Sequence, residues 1–169
     1  MINKNQLTER SFTPSQLSGF DGAHSIQLPV DFIHDLSKAD SLQAVLDTIA
    51  YWISHVFDAD RASITLQDTE EYLKLYSISG NHAIPMDFKI PIGQTFVGRV
   101  FAQSQLIICD DLAQSDELDC QMLSEHGMGT CMDAPMIHNG VCIGTLNMAD
   151  QRKYHYTLQQ AILLQSLAT

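Results

Sequence analysis

The sequence predicts an α+β fold in which helices flank an antiparallel sheet. Strand-like and helix-like segments alternate along the chain without the long crossovers that connect parallel strands. The strongest local signal is Asn139-Gly140, which separates two apolar runs, Met132–Ile137 and Val141–Met148. A type I′ turn needs a positive φ at both central residues, which Gly and Asn adopt at little cost. We therefore expect an antiparallel hairpin here.

A two-residue turn also determines which residues of the hairpin face one another. It would pair His138 with Val141 and Ile137 with Cys142. Gly144, inside the second strand, has no side chain, so a helix or a ligand could approach the sheet closely at this point.

The first third of the chain is predicted to contain an arm and two helices. Residues 1–27 are polar and show no clear periodicity, so we expect a flexible N-terminal arm. A short helix, Pro29–Ser37, begins with a proline, which suits a first helical turn. Asp40 or Ser41 caps the next helix, Leu42–Phe57, whose apolar residues recur every three or four positions.

Four short strands are predicted before the hairpin: Arg61–Leu66, Tyr72–Ser79, Phe88–Ile92 and Leu106–Cys109. The first alternates apolar with polar residues, which predicts a half-buried strand with one apolar and one polar face. Its apolar set is Ala62, Ile64 and Leu66, and its polar set is Arg61, Ser63 and Thr65. The third strand contains Pro91, which indicates an edge strand or a strand end.

A predicted helix, Phe96–Ala102, follows a glycine-rich turn that contains Gly93 and Gly98. Because a helix N-terminus exposes unpaired N–H groups, such a turn raises the question of phosphate binding. The turn lacks the Lys-Ser/Thr of a P-loop and the G-x-G-x-x-G spacing of dinucleotide-binding folds. These two kinds of nucleotide site are therefore not indicated.

Two more helices are predicted from residues that are typical of helix ends. Acidic residues open the helix Ser115–Glu125, and His126-Gly127 closes it. Thr157 forms a capping box, completed three residues later by a glutamine, for a terminal helix that is still open at Thr169. We expect the chain to continue beyond this helix as part of a longer protein.

Charge and composition exclude several classes of partner. The net charge of −11 argues against nucleic-acid binding and against attraction to an anionic membrane. No secretory signal follows Met1, and the most apolar helical stretch, 49–57, is too short to span a bilayer. We expect a cytoplasmic protein whose four cysteines are reduced and mostly buried. They are Cys109, Cys120, Cys131 and Cys142.

Five segments, taken in chain order, resemble the GAF domain family. They are Ala59–Leu66, Ile90–Ala102, Ile108–Asp111, the hairpin segment Ala134–Asn147 and the cap at Tyr156-Thr157. The resemblance covers about residues 42–169 and implies a GAF/PAS-like domain at 28–169, with an antiparallel sheet of about six strands. Helices on one face of the sheet would pack or dimerise, and a ligand pocket would lie on the other.

The resemblance implies a non-catalytic sensory module that controls an attached output module, such as a histidine kinase, nucleotide cyclase or diguanylate cyclase. A homodimer would form through the helix Leu42–Phe57 and the helix after Thr157. From their placement before and at the start of the hairpin, we expect eight residues to line the pocket: Phe96, Leu112, Leu118, Met122, His126, Thr130, Met132 and Asp133.

Family ligands can be weighed against the residues. The polar set of the cyclic-nucleotide binders is not assembled, and the segment 101–151 contains no Lys or Arg that would favour a phosphate. A bilin is disfavoured because Gln121, rather than His, follows Cys120. His82 or His126 could ligate haem or a metal, although a His beside a Gly is ordinarily a helix-end residue. The sequence identifies no cofactor.

Three functions stay open. The first is ligand sensing, and the second is a ligand-free dimerisation module whose pocket is packed shut. The third is a thiol enzyme similar to the free methionine sulfoxide reductases of this family, whose signatures around the active cysteines are not recognisable here. Catalysis would require two cysteines close together in a cleft.

Overall fold

The computed structural model describes residues 8–20 and 29–169. Within these residues, one antiparallel sheet has the strand order β1-β5-β6-β7-β2-β3-β4. The strands are β1 Glu9–Phe12, β2 Arg61–Gln67, β3 Tyr72–Gly80, β4 Lys89–Pro91, β5 Leu106–Cys109, β6 Thr130–His138 and β7 Val141–Asp150. The helices are α1 Pro14–Ser18, α2 Val30–Lys38, α3 Leu42–Val56, α4 Phe96–Gln103, α5 Leu118–Glu125 and α6 Leu158–Ala168. The predicted α+β class is confirmed, with one strand more than expected.

The hairpin forms as predicted. Asn139 has φ 51° and Gly140 has φ 76°, the positive values of a type I′ turn. Ile137 pairs with Cys142, and His138 pairs with Val141. The short strand β4 pairs with β3 alone at the sheet edge, where its proline removes no ladder hydrogen bond.

Gly144 does allow a close approach, but the expectation that a helix or a ligand makes it is wrong. A Cβ atom added at Gly144 would lie 2.1 Å from the carbonyl oxygen of Thr65. The neighbouring strand β2 therefore approaches here, rather than a helix or a ligand. Breaks in the regular register, between Met136 and Ile137 and between Ile64 and Thr65, lie beside this contact.

A flexible arm is predicted over residues 1–27, but the part of it that the structure describes, residues 8–20, contains a strand and a helix. Residues 9–12 form β1, an edge strand paired with β5, and Leu17 of α1 is buried in the core. Arg10 donates to both carboxylate oxygens of Asp110, at 3.0 and 2.6 Å. This segment is fixed by ion pairs and by one buried apolar side chain. Its sequence therefore lacks the repeating apolar pattern that predicts a helix or a strand. Residues 1–7 and 21–27 of the predicted arm lie outside the described residues.

Helix α5 starts three residues later than predicted. The residues before it form a tight turn at 112–114, which the Asp111 side chain caps by accepting from the Ala113 N–H. The Ser115 hydroxyl accepts from the Glu117 N–H and extends this irregular segment. Polar side chains that bond to nearby backbone groups compete with helix formation in this way. The predicted stop at His126-Gly127 is confirmed, with Gly127 at φ 89°.

Two hydrophobic layers lie on opposite faces of the sheet. One contains α1, α3 and α6 and is built around Ile53, Ile64 and Leu164. The other contains α4, α5 and the segment 83–92, and is built around Phe96, Leu112 and similar residues. Helix α2 packs on α3, where the Trp52 indole donates to the Asp35 carboxylate at 2.8 Å. The second layer encloses the candidate site.

Candidate functional site

A cavity of about 30 Å³ lies between the sheet and helices α4 and α5. That volume is sufficient for roughly two water molecules. Its polar lining consists of Arg61, Ser63, Thr65, Asp119, Cys131, Asp133 and Asn147. Its apolar lining consists of Leu75, Ile84, Ile90, Val97, Leu123, Met148 and Ala149. Charged and apolar groups thus share a small space below the protein surface.

Three of the polar residues form a row across the central strands. Asn147 on β7 pairs with Ser63 on β2 and with Asp133 on β6. Directly opposite residues in an antiparallel sheet point to the same face, so their side chains are neighbours. The Asn147 amide donates to the Ser63 hydroxyl at 3.2 Å, but its own carbonyl oxygen is buried without a partner.

Asp133 is 5% exposed and lies at one end of this row. Within residues 8–20 and 29–169, its carboxylate makes neither a hydrogen bond nor an ion pair. Burial, reinforced by the nearby Asp119 carboxylate, raises the pKa of Asp133 well above its usual range. Asp133 therefore brings unused hydrogen-bonding capacity into the cavity.

Arg61 supplies the opposite charge and is 3% exposed. Its guanidinium donates to the carbonyl oxygens of Asn81, at 2.7 Å, and Ile84, at 3.3 Å. Burial lowers the pKa of Arg61 to about 10, although the charge of Asp133 opposes this shift. The side chain is therefore a cation at neutral pH, and it has no carboxylate within ion-pair distance in the described part of the chain.

Asp119 occupies the N-terminus of α4. Its two carboxylate oxygens accept from the N–H groups of Phe96, at 2.8 Å, and Val97, at 3.0 Å. The Thr95 hydroxyl accepts from the Gly98 N–H and completes the cap. Burial raises the pKa of Asp119 to about 6, and these backbone donors limit the rise. An internal carboxylate thus holds the position where the glycine-rich turn could have bound a phosphate.

Of the eight residues predicted to line a pocket, Asp133 alone lines this cavity. Phe96, Leu112 and Met122 pack in the core layer around it, and Met132 lies in the layer on the opposite face. Three others lie elsewhere: Leu118 is half-buried, His126 is exposed, and the Thr130 hydroxyl donates to the Cys109 carbonyl oxygen at 2.6 Å. Alternation along β6 separates Met132 from Asp133, because successive side chains point to opposite faces.

Sequence reasoning missed Arg61, Ser63 and Asn147 as site residues. The alternation along β2 predicts a half-buried strand with one apolar and one polar face, whereas Arg61–Thr65 is buried on both faces. The signal was present in the register, because Ser63, Asn147 and Asp133 occupy matching positions on three adjacent strands. It becomes visible only when the strand order is known.

The cysteines are free thiols, as predicted; three are buried and Cys142 is half-buried. Cys109 pairs with Cys131 across β5 and β6, and the Cys120 thiol lies close to both. The Cys120 thiol and burial raise the pKa of Cys109, and burial raises that of Cys131. The pKa of Cys120 is raised as well: its contact with Cys109 opposes the rise, whereas its contact with Cys131 and burial favour it. All three thiols are therefore held in the protonated, unreactive form.

The part of the chain that the structure describes contains no cluster of three or more metal-ligating side chains. None of the helices at 8–20 and 29–169 is long and apolar enough to cross a bilayer.

Comparison with solved structures finds the same fold in several proteins. One is the GAF domain of a phosphoenolpyruvate-protein phosphotransferase from Coxiella burnetii, 18% identical, with a TM-score of 0.70 over 82% of this chain and 84% of that one. Another is a free methionine-R-sulfoxide reductase from Neisseria meningitidis in complex with its substrate, 19% identical, with a TM-score of 0.68 over 86% and 90% of the two chains. A third is the nlh2 GAF domain of A. aeolicus in an inactive state, 11% identical, with a TM-score of 0.68 over 82% and 87%.

A search of curated proteins gives no match. The family model described as GAF domain matches residues 41–169, which is most of the chain. The resemblance inferred from five short segments is thereby confirmed, and the chain belongs to the GAF domain family.

Proposed function

We propose that this GAF domain is a sensory module that binds a small molecule in the cavity between the sheet and helices α4 and α5. Two polar groups of the cavity support this most directly. Within the part of the chain that the structure describes, the Asn147 carbonyl oxygen is buried without a partner, and the carboxyl group of the 5%-exposed Asp133 takes part in no hydrogen bond. Leaving buried polar groups without partners costs free energy, and proteins retain such groups mainly where a ligand or water satisfies them. A cavity that combines an apolar lining with a few charged and polar groups is typical of small-molecule sites.

The signal would pass through the sheet to the helices on its other face. Helices α3 and α6 pack on the face opposite the cavity, through Leu46 and Ala50 of α3 and Ala161 and Leu164 of α6. A change in the position of β2 or β6 would thus reach both helices. An attached output module, such as a histidine kinase, nucleotide cyclase or diguanylate cyclase, would receive this change in a cytoplasmic protein.

A homodimer through these helices belongs to the same proposal. On α3, Leu42 is 64% exposed and Tyr51 is 49% exposed. On α6, Ile162, Leu163 and Leu167 are only partly buried, although they pack against the core. Apolar side chains that remain accessible on neighbouring helices are suited to a partner helix.

Native mass spectrometry of the purified protein tests the ligand proposal. We expect a co-purified small mass on the wild-type protein, reduced or absent in Asp133→Asn and retained in the surface control Asp68→Asn. A wild-type protein without added mass, together with a cavity closed by its own side chains, would instead support a ligand-free dimerisation module.

The close approach of Cys109, Cys120 and Cys131 supports a second candidate, a thiol-dependent reductase of free methionine sulfoxide. The raised pKa values of these thiols speak against it, because thiol chemistry needs a thiolate. We expect no reduction of free methionine sulfoxide with dithiothreitol as reductant. Turnover that Cys120→Ser abolishes, and that Cys142→Ser retains, would establish the enzyme and overturn this expectation.

A further inference from the structure

The cavity contains a buried cation and a buried acid that do not pair with each other. Arg61 is held by the carbonyl oxygens of Asn81 and Ile84, which direct its guanidinium toward the loop after β3. Asp133 lies two strands away on β6, so about 10 Å of sheet separates the two backbones. Both side chains line the same space.

Each of the two groups has hydrogen-bonding capacity that the protein leaves unused. A guanidinium carries more N–H donors than the two carbonyl oxygens on Arg61 can accept. Within the described part of the chain, the Asp133 carboxyl group takes part in no hydrogen bond, and the carbonyl oxygen of Asn147 is buried without a partner. Donors are therefore left over at one end of the cavity, and acceptors are left over at the other.

Asp119 does not supply the missing anion for Arg61. Its oxygens are already bonded to the N–H groups of Phe96 and Val97, and one also accepts from the Cys120 N–H at 3.1 Å. The N-terminus of α4 thus compensates the Asp119 charge. The charges left to a ligand are those of Arg61 and Asp133.

We infer that the cavity binds a very small zwitterion, in which one ammonium and one carboxylate are a few bonds apart. This inference rests on the proposed function and names the ligand class of the same site. The ammonium would donate to Asp133 and to the carbonyl oxygen of Asn147, and the carboxylate would accept from Arg61. Such a ligand pairs both charges of the cavity and adds no net charge to the interior.

The size of the cavity limits the zwitterion to the smallest α-amino acids. The volume of about 30 Å³ corresponds to roughly two waters, which together occupy about 60 Å³ as liquid. Glycine is the α-amino acid that comes nearest to this size, and alanine is larger by one methyl group. The apolar lining from Val97, Leu123 and Ile84 leaves room for a hydrogen or a methyl group rather than for a long side chain.

Isothermal titration of the dialysed 169-residue protein with glycine and alanine tests this inference. Methylamine and acetate serve as half-ligands, because each carries only one of the two charges. We expect glycine or alanine to bind on the order of tenfold or more tightly than either half-ligand, since each half leaves one buried charge unpaired.

Asp133→Asn is the informative variant. The variant replaces the carboxyl group with an amide of the same shape, and the carboxyl group makes no hydrogen bond in the described part of the chain, so we expect the fold to be preserved. We expect its affinity for the amino acid to fall on the order of tenfold or more, with an unchanged melting temperature in the absence of ligand. Arg61→Gln should lose binding as well, and the exposed control Asp68→Asn should retain it.

Two results would overturn the inference while leaving the sensory function in place. Methylamine or acetate could bind as tightly as glycine, or native mass spectrometry could identify a co-purified molecule that is not a zwitterion. If no amino acid binds and no molecule co-purifies, both the ligand class and the sensory function are wrong.

Discussion

At the scale of single residues, Asp119 is subject to two opposing effects. Burial favours its protonated form, whereas the N–H groups of Phe96 and Val97 favour the carboxylate. Burial prevails and raises the pKa of Asp119 from the ordinary value of an aspartate to about 6. A buried acid whose pKa is raised on folding binds its proton more tightly in the folded state than in the unfolded state.

The free energy of unfolding should therefore respond to pH through Asp119. The contribution of Asp119 to the free energy of unfolding is fully present below pH 4. It falls as the pH rises toward about 6, by up to about 3 kcal/mol in total. Asp119→Asn has no such dependence and loses one backbone hydrogen bond. We expect the variant to be less stable than wild type, by an amount that shrinks between pH 4 and pH 7 in urea titrations. A deficit that grows with pH would show that the helix cap outweighs burial.

At the scale of elements, local signals predicted those parts of the fold that depend on neighbours in sequence. The Asn139-Gly140 turn and the Thr157 capping box need only a few adjacent residues, and both form as expected. Strand β1 could not be predicted in this way, because the residues that hold it, Asp110 and Arg99, are about a hundred positions away. The polar row of the cavity was missed for the same reason, since it is formed by register between strands.

The hairpin prediction can be tested at Gly140. Its φ of 76° is costly for alanine, so Gly140→Ala should lower the free energy of unfolding by about 1 kcal/mol. Gly93 serves as a control, because a Cβ atom there meets no other atom within 4 Å and its φ is not in the left-handed region. Equal stability of Gly140→Ala and Gly93→Ala in urea titrations would contradict the type I′ turn.

The N-terminal segment can be tested at Leu17. This side chain is 2% exposed and lies in the core layer with α3 and α6. Leu17→Ala should therefore destabilise the protein by about 2–4 kcal/mol, as buried leucines do elsewhere. The control Val30→Ala alters a residue that is 81% exposed, so its stability should change by less than about 0.5 kcal/mol. A flexible arm at this position would make the two variants equally stable.

At the scale of the whole molecule, the sheet separates two layers of different chemical character. The layer with α4 and α5 encloses charged groups, and the layer with α3 and α6 carries accessible apolar side chains. The central strands β2, β6 and β7 contribute residues to both, since Arg61 and Asp133 alternate with Ala62 and Met132. The cavity and helices α3 and α6 therefore contact opposite faces of the same strands, which is the route that we propose for the signal.

The proposed dimer follows from this arrangement and can be measured by light scattering after size-exclusion chromatography. We expect twice the mass of one chain for the wild-type protein. The double variant Leu42→Lys, Tyr51→Lys places a charge at each of two exposed apolar positions of α3 and should weaken association by about tenfold or more. Val141→Lys, at an exposed site on the hairpin, should leave the mass unchanged. A wild-type protein with the mass of one chain would contradict the proposed homodimer.

A high-resolution crystal structure of the protein as purified would show whether the cavity is a ligand site. We predict electron density between Arg61 and Asp133, from a molecule that contacts the Asp133 carboxylate and the carbonyl oxygen of Asn147. A guanidinium of Arg61 that turns inward and pairs with Asp133, in a cavity closed around that ion pair, would contradict it. The protein would then satisfy its own buried charges and need no ligand.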